Sequence, residues 1–345
     1  MIAYDVDPTT HELKVRWKWY NNANGPWKGQ GYHNYCIADV DWDGRDEIVF
    51  GSMVIDDNGK GLSTSGLGHG DALHCGDFNP YAHGQEIFAC NEESEGYNYR
   101  DATTSKIYKC ELHVGKDVGR SMMDNFSDAY PGSIGSAWGS PISSVKNESV
   151  SGMVEDGINQ NFRIYWDGDL CSETFNYRNG KNTEGVIAKY GSWSAIYTCE
   201  GSLTNNDTKG TPCYQGDILG DWREEIIMRT ADNNIRIYST PTPTTYRNYT
   251  LWHDHQYRNG MAWQMCGYNQ PPHVSYFVGK LEGITQAPPP LMMEGREEVA
   301  NGGTIGSTLN DKHIIVCENA NTEVTIENGA SPYILTFNVP TWVQG

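Results

Sequence analysis

Apolar positions come in short runs, each entered through a turn that carries carboxylates or glycine. Four segments align: "ADVDWDGRDEIVFGS" (38–52), "GDFNPYAHGQEIFAC" (76–90), "DNFSDAYPGSIGSAW" (124–138) and "GDILGDWREEIIMRT" (216–230). Each has a leading aspartate (Asp39, Asp77, Asp124, Asp217), then a turn rich in Gly, Pro or polar residues. In most of them a carboxylate follows, just ahead of an apolar run. Such runs, rich in Ile, Val and Phe and bounded by turn residues, predict short strands. The aspartates recur at roughly 40–50 residues, with one double interval that "NFRIYWDGDLCSETF" (161–175) fills. Several short strands per repeat of that length predict an all-β chain folded as a β-propeller, with about five to six blades visible between Asp39 and Gly279. A β-sandwich is the runner-up, but it does not explain a repeated acidic turn.

The pattern changes at "QAPPPLMMEGREEVANGGTIG" (286–306), where three consecutive prolines mark a linker. The predicted organisation is a propeller over 1–283, a Pro/Gly-rich linker over 284–306 and a β extension over 307–345. The first residues, "MIAYDVDPTTHELKVRWKWY", lack the basic start and apolar core of a signal peptide and look like mid-domain strand. Together with the count of visible units, this abrupt start predicts that earlier blades are missing.

Composition narrows the partners. The 345 residues carry a net charge of −19, so a nucleic acid is excluded as the expected partner, because phosphate recognition needs a basic footprint. No apolar stretch is long enough for a membrane-spanning helix. The nine cysteines form no CxxC pair, and their irregular spacing speaks against a zinc site or a disulfide scaffold; most are expected to be small buried apolar residues. The chain is expected to be a monomer.

The acidic turns carry the candidate chemistry. Asp39, Asp41, Asp43, Arg45 and Glu47 lie in one loop whose oxygen ligands alternate around Gly44, a pattern suited to Ca²⁺ although shorter than an EF-hand loop. The rival reading is an ordinary Asp/Gly hairpin turn. Asp217, Asp221 and Glu225 form a weaker version, in which a divalent cation would offset the crowding of like charges. In "GLGHGDALHCGD" (66–77), His69 and Asp71 flank Gly70 and point to one face of a strand. That mixed set suits a transition metal as well as calcium. His74, a lone histidine on the same strand, reads better as a core residue.

Longer strings then show a resemblance. "GQGYHNYCIADVDWDGRDEI", "GLGHGDALHCGDFNP", "DILGDWREEI", "LWHDHQYRNGMAWQ" and "YNQPPHVSYFVG" resemble polysaccharide lyase family 11, the rhamnogalacturonan lyases, over roughly residues 10–280. The resemblance implies an eight-bladed propeller holding several calcium ions, acting by β-elimination on the rhamnose–galacturonate backbone of rhamnogalacturonan I, a pectin. It implies an extracellular or periplasmic setting, because pectin lies outside the cell. Residue by residue, it implies that Lys209, Arg120 and Tyr268 line the cleft, with Asn206 and Thr208 on the substrate. It further implies that His33, His69, Asp71 and Glu92 surround one calcium near the cleft, while Asp39, Asp41, Asp43 and Glu47 hold another. Three positions depart from the family pattern: Asp207 stands where a glycine is expected, His255 where a proline is common, and "MDNFSDAYPGSIG" (123–135) carries fewer carboxylates. Two other readings stay open at this stage: a calcium-stabilised propeller that binds glycan without cleaving it, and an inactive fragment of the lyase.

Overall fold

The computed structural model describes residues 1–21, 25–137, 143–145, 161–178, 180, 183–192, 194–206 and 209–280, and the strands between 296 and 338. The chain divides into two units, Met1–Pro288 and Pro289–Gly345.

The first unit opens with a hairpin, β1 (Ile2–Val6) and β2 (Leu13–Lys18). A four-stranded antiparallel meander follows: β3 (Cys36–Ala38), β4 (Glu47–Phe50), β5 (Met53–Ile55) and β6 (Gly61–Thr64). The same order repeats in β7 (Gly70–Gly76), β8 (Glu86–Asn91), β9 (Gly96–Asp101) and β10 (Ile107–Glu111). The third sheet shows three strands among the described residues: β11 (Ser121–Asp124), β12 (Ile134–Ala137) and β13 (Ser143–Ser144). The fourth is again a full meander, β14 (Phe162–Ile164), β15 (Glu173–Tyr177), β16 (Gly185–Ala188) and β17 (Ala195–Thr198). In the fifth, β18 (Ser202–Leu203) and β19 (Tyr214–Gly216) share one edge of β20 (Glu225–Thr230), and β21 (Ile235–Tyr238) takes the other.

Burial falls from the first to the last strand in the second and fourth sheets. In the second sheet β7 and β8 are buried throughout and β10 is largely exposed. Likewise β14 is fully buried, while β17 and β21 face outward. The apolar cores lie between consecutive sheets, not within one. Val40, Val49 and Val54 of the first sheet pack with Leu73, Ile87 and Ala89 of the second. Phe88 and Tyr97 of the second meet Met123 and Ala137 of the third, and Phe162 and Ile187 of the fourth meet Ile226 and Met228 of the fifth. Meanders with a buried first strand, stacked face to face through shared cores, form the propeller-like arrangement predicted from the repeat.

The recurring glutamate has a structural task in every complete sheet. Glu47, Glu86, Glu173 and Glu225 each pair across the ladder with the residue that ends the preceding strand: Ala38, Gly76, Ile164 and Gly216. Each carboxylate turns back to accept amides of the connecting turn, from Val40 (2.9 Å), Phe78 (2.9 Å), Trp166 (2.9 Å) and Ile218 (2.9 Å) respectively. The Val40 and Trp166 amides find their acceptor here, while those of Phe78 and Ile218 share it with the Gly76 and Gly216 carbonyls.

One element departs from the pure strand expectation. "LWHDHQYRNGMAWQ" forms a short 3-10 turn and then the helix α1 (His255–Trp263), which packs on β3. Asp254 caps it by accepting the Tyr257 amide at 2.8 Å and also takes the Ser275 amide at 3.1 Å.

The second unit is built on parallel pairing. Its strands Arg296–Val299, His313–Cys317 and Ile334–Asn338 lie side by side in that order, and Thr304–Ile305 pairs with Thr325–Ile326.

Candidate functional site

The loops around the first, second, third and fifth sheets bring the cleft residues together. His33 precedes β3, His69 and Asp71 enter β7, and Glu92 follows β8. Gly70 is required here: a Cβ at this position would lie 2.1 Å from the Cys90 carbonyl oxygen and 2.5 Å from the Tyr32 ring. Its absence lets β7 press onto its neighbours while His69 and Asp71 face the same cavity. His33 N–H donates to the Gly70 carbonyl at 3.2 Å, and Glu92 N–H to the His69 carbonyl at 3.2 Å, fixing the two outer ligands to the inner pair.

His33, His69, Asp71 and Glu92 each offer a ligand atom, and the four atoms lie within 4.8 Å of one another. The Nδ1 of His69 sits 2.5 Å from the Gly31 carbonyl, so it carries the proton and leaves Nε2 as a lone pair facing the cluster. That Nε2 is 3.3 Å from His33 Nε2 and 3.3 Å from a Glu92 oxygen, while His33 Nε2 is 3.9 Å from Asp71. Convergent nitrogen and carboxylate lone pairs repel one another without a cation, so this donor set fits a divalent metal. Burial raises the pKa of Asp71, and the neighbouring Glu92 carboxylate adds to the shift.

Next to this cluster stand Arg120, Lys209 and Tyr268. Tyr268 N–H donates to the His33 carbonyl at 3.0 Å, and its ring stacks on His33 at a centroid distance of 5.0 Å. The Arg120 guanidinium lies over the tyrosine ring, 4.4 Å from its centroid. Arg120 is buried, yet it makes no ion pair among the described residues; its Nε donates to Asn161 at 3.2 Å and its Nη1 to the Gly119 carbonyl at 3.2 Å. Burial lowers the pKa of Lys209, and the Arg120 charge lowers it further, so the lysine is poised to lose its proton more easily than an exposed one. Tyr268 moves the other way, to about 12, through burial and the Asp71 charge, and so stays a phenol. Gly119 marks how tightly these groups converge: a Cβ there would lie 2.6 Å from Asp71 Oδ2 and 3.2 Å from Lys209 Nζ.

Asn161 was not anticipated from the sequence. It is buried, accepts from Arg120, and donates through Nδ2 to the Gly210 carbonyl, tying the arginine to the turn that carries Lys209. Gly210 N–H in turn donates to Asn176 at 2.8 Å. The available signal was only "INQNFRIY", an asparagine entering a strand, which by itself says nothing of this link. Asn206 lies in the same turn with a left-handed backbone (φ 63°), whereas Thr208 and Asp207 fall outside the described residues.

The acidic loop of the first sheet is a second candidate metal centre. Asp39, Asp41 and Asp43 bring ligand oxygens within 4.8 Å of one another, and so do Glu47, Asp56 and Asp57. The loop is closed by the Gly44 amide on Asp39 (3.1 Å), the Asp43 amide on Asp41 (3.2 Å) and the Arg45 amide on Asp43 (2.8 Å). Glu47 is buried, and its Oε1 has no hydrogen-bond partner. Burial, reinforced by Asp41, Asp39 and Asp43, pushes its pKa up to about 8. An orphaned buried carboxylate oxygen among further carboxylates fits a hard cation such as calcium. The Arg45 side chain belongs to the rim, 3.1 Å from Asp57.

Asp217, Asp221 and Glu225 are handled differently. Asp217 accepts Thr250 Oγ1 and the Leu251 amide, both at 2.7 Å, and Glu225 is held by the Ile218 and Leu219 amides. Asp221 turns to Arg223 at 2.6 Å, and neighbouring Glu224 is paired with the buried Arg163 at 2.6 Å. The carboxylates of this turn are met in part by amides and arginines, while one Asp217 oxygen stays buried without a hydrogen-bond partner. His255 pairs with Asp46 at 2.5 Å, away from the Arg120–Lys209 group. His74 is buried between His273 (2.8 Å) and the Ser121 carbonyl (2.6 Å), as a core histidine should be.

Eight cysteines among the described residues are free thiols, and five of these are buried. No helix among the described residues is long and apolar enough to cross a membrane.

Known proteins resemble this chain in sequence and fold. Residues 1–290 match the family profile described as rhamnogalacturonan lyase family 11, C-terminal domain. The rhamnogalacturonan endolyase YesW of Bacillus subtilis is 44% identical over 283 residues, covering 79% of this chain and 43% of the relative. The rhamnogalacturonan exolyase YesX of the same organism is 39% identical over 317 residues, covering 85% and 50%. The crystal structure of exotype YesX superimposes with a TM-score of 0.76 at 40% identity, covering 83% of this chain and 50% of that one. The chain thus spans about half the length of the curated relatives it matches. On the match of most of its length to the family profile, and on its identity to both relatives, the chain belongs to rhamnogalacturonan lyase family 11.

Proposed function

We propose that the chain carries the metal-assisted cleft of a rhamnogalacturonan lyase that cleaves the rhamnose–galacturonate backbone of rhamnogalacturonan I by β-elimination outside the cell. The observation that carries this reading is the convergence of Lys209, Arg120 and Tyr268 beside the four-ligand cluster of His33, His69, Asp71 and Glu92. Both relatives are named as rhamnogalacturonan lyases, which supports the reading.

Elimination from a uronate needs its carboxylate neutralised, its C5 proton removed and its C4 oxygen released. Arg120 presents a buried guanidinium that makes no direct ion pair among the described residues, suited to a bidentate grip on the uronate carboxylate. Lys209, deprotonated more readily than usual, takes the C5 proton on its Nζ lone pair. The C5–H electrons form the C4=C5 double bond as the C4–O bond breaks, and the departing oxygen is protonated, with the Tyr268 phenol as the nearby O–H donor. A calcium ion held by His33, His69, Asp71 and Glu92 would add Lewis-acid stabilisation of the enolate-like charge. By the family resemblance, Asn206 and Thr208 are assigned to the sugar hydroxyls.

The test is ultraviolet absorbance of the conjugated unsaturated uronate when the protein meets rhamnogalacturonan I with calcium, and again with a chelator. A rise that the chelator abolishes supports the proposal. Folded protein that binds the polysaccharide and gives no rise would make the chain a glycan-binding propeller instead.

A further inference from the structure

The ladder register gives the complete sheets a common frame. Ala38 pairs with Glu47 in the first sheet and Ile164 with Glu173 in the fourth. One step on, Ile48 pairs with Ile55 and Thr174 with Ala188. In this frame Asp167, Asp169 and Glu173 stand at the positions of Asp41, Asp43 and Glu47, and their ligand oxygens lie within 4.8 Å of one another; in the first sheet Asp41 and Asp43 converge with Asp39, and Glu47 with Asp56 and Asp57. The residue after the third strand is Asp56 in the first sheet, and in the fourth it is Lys189. The charge at that position is reversed, and Tyr165 and Tyr190 stand where the first sheet has Asp39 and Asp57.

Lys189 fills the centre of the cluster. Its Nζ lies 2.5 Å from Glu173, 2.6 Å from Asp167 and 3.0 Å from Asp169. Glu47 in the first sheet keeps a buried oxygen without a partner, as do Asp77 in the second and Asp217 in the fifth. Neither oxygen of Glu173 is left in that condition: one takes the lysine and the other the Trp166 and Asp167 amides. Burial acts to lower the pKa of the Lys189 ammonium, but Glu173 and the two aspartates outweigh it and hold the amine protonated. The cation in this turn is therefore permanent and covalently attached.

We infer that the Asp167–Glu173 turn is a masked divalent-cation site, in which Lys189 supplies from the chain the positive charge that the corresponding carboxylate frame of the first sheet is built to take from a metal ion. The fourth sheet is in consequence insensitive to chelation, and its turn becomes a metal site when the lysine is removed. The argument is independent of the lyase assignment, since it rests on register and charge alone.

Three variants test it: Lys189→Asp, which restores the counterpart of Asp56, Lys189→Met, which only removes the ammonium, and Lys189→Arg, which keeps the positive charge. The readouts are calcium equivalents per folded chain by elemental analysis, and terbium luminescence sensitised by Trp166, whose backbone amide lies on the same carboxylate. The expected result is one more bound ion per chain in Lys189→Asp than in the native protein, new terbium emission, and a melting temperature that calcium raises more than in the native protein. Lys189→Arg is expected to fold as well with chelator as without. An unchanged ion count and no new terbium emission in folded Lys189→Asp would overturn the inference. So would failure of both Lys189→Asp and Lys189→Met to fold even in excess calcium, because the ion is then unable to replace the ammonium.

Discussion

Gly119→Ala is the smallest change that probes the cleft. The added Cβ would sit 2.6 Å from Asp71 Oδ2 and 3.2 Å from Lys209 Nζ. The first distance is well inside contact, so the carboxylate or the backbone must retreat by roughly 0.5–1 Å. The glycine has no left-handed backbone angle, so alanine is tolerated at the level of φ. Overpacking of one methyl costs about 1–3 kcal/mol of stability, which a protein of this size survives. A displacement of about 1 Å in a reacting constellation costs on the order of 100-fold in rate. Because Asp71 is also a ligand of the proposed metal cluster, calcium affinity should fall in parallel. The assay is kcat/KM for unsaturated product from rhamnogalacturonan oligosaccharides at saturating calcium, with thermal unfolding as the control for folding. A folded variant within about threefold of the native kcat/KM would refute the reasoning, since Asp71 and Lys209 would then not act from the positions seen.

Other consequences can be checked alongside. Arg163 is fully buried between Asp124 (3.1 Å) and Glu224 (2.6 Å), so Arg163→Met should destabilise the fold by about 3–5 kcal/mol in denaturant unfolding. Adding Asp124→Asn and Glu224→Gln should recover part of that loss, and no recovery would point to packing instead of charge. Glu47 is raised from 4.5 to about 8, so metal-free folded protein binds more protons than unfolded protein between those values. Its contribution to stability is present below about 4.5 and is lost as pH rises toward about 8, so the melting temperature in chelator should fall across that window and calcium should flatten the fall. Asn161→Ala should lower kcat about tenfold or more with little change in KM, through the loosened Arg120–Gly210 link; an unchanged kcat would make Asn161 purely structural.

Much of the fold was readable because the repeat has a physical cause. An aspartate, a turn and a glutamate recur since each glutamate must close its turn by accepting buried amides, as Glu47, Glu86, Glu173 and Glu225 do. The acidic loop at Asp39–Glu47 was legible for the same reason, being local. At Asp217–Glu225 the local spacing announced the crowded acidic turn but not every partner: Asp221 is met within the turn by Arg223, whereas the Arg163 that pairs with Glu224 lies 61 residues away. The helix His255–Trp263 stayed hidden because its stabilising contacts are tertiary, such as Tyr257 bonding to Glu224 at 2.8 Å. In the cleft, His69 and Asp71 were visible as an i, i+2 pair. The convergence of Lys209, Arg120 and Tyr268 came only through resemblance, and Asn161 through neither route. The Lys189 cluster needed the ladder register to be seen at all.

The central claim is that Lys209 removes the C5 proton in this cleft, and its pH–rate profile tests that most directly. With calcium saturating, kcat/KM for unsaturated product should rise along a basic limb whose midpoint lies below the ordinary lysine value of 10.5, and Lys209→Ala should lose both the limb and the rate. A Lys209→Ala protein that keeps the native rate and the same limb would contradict the account.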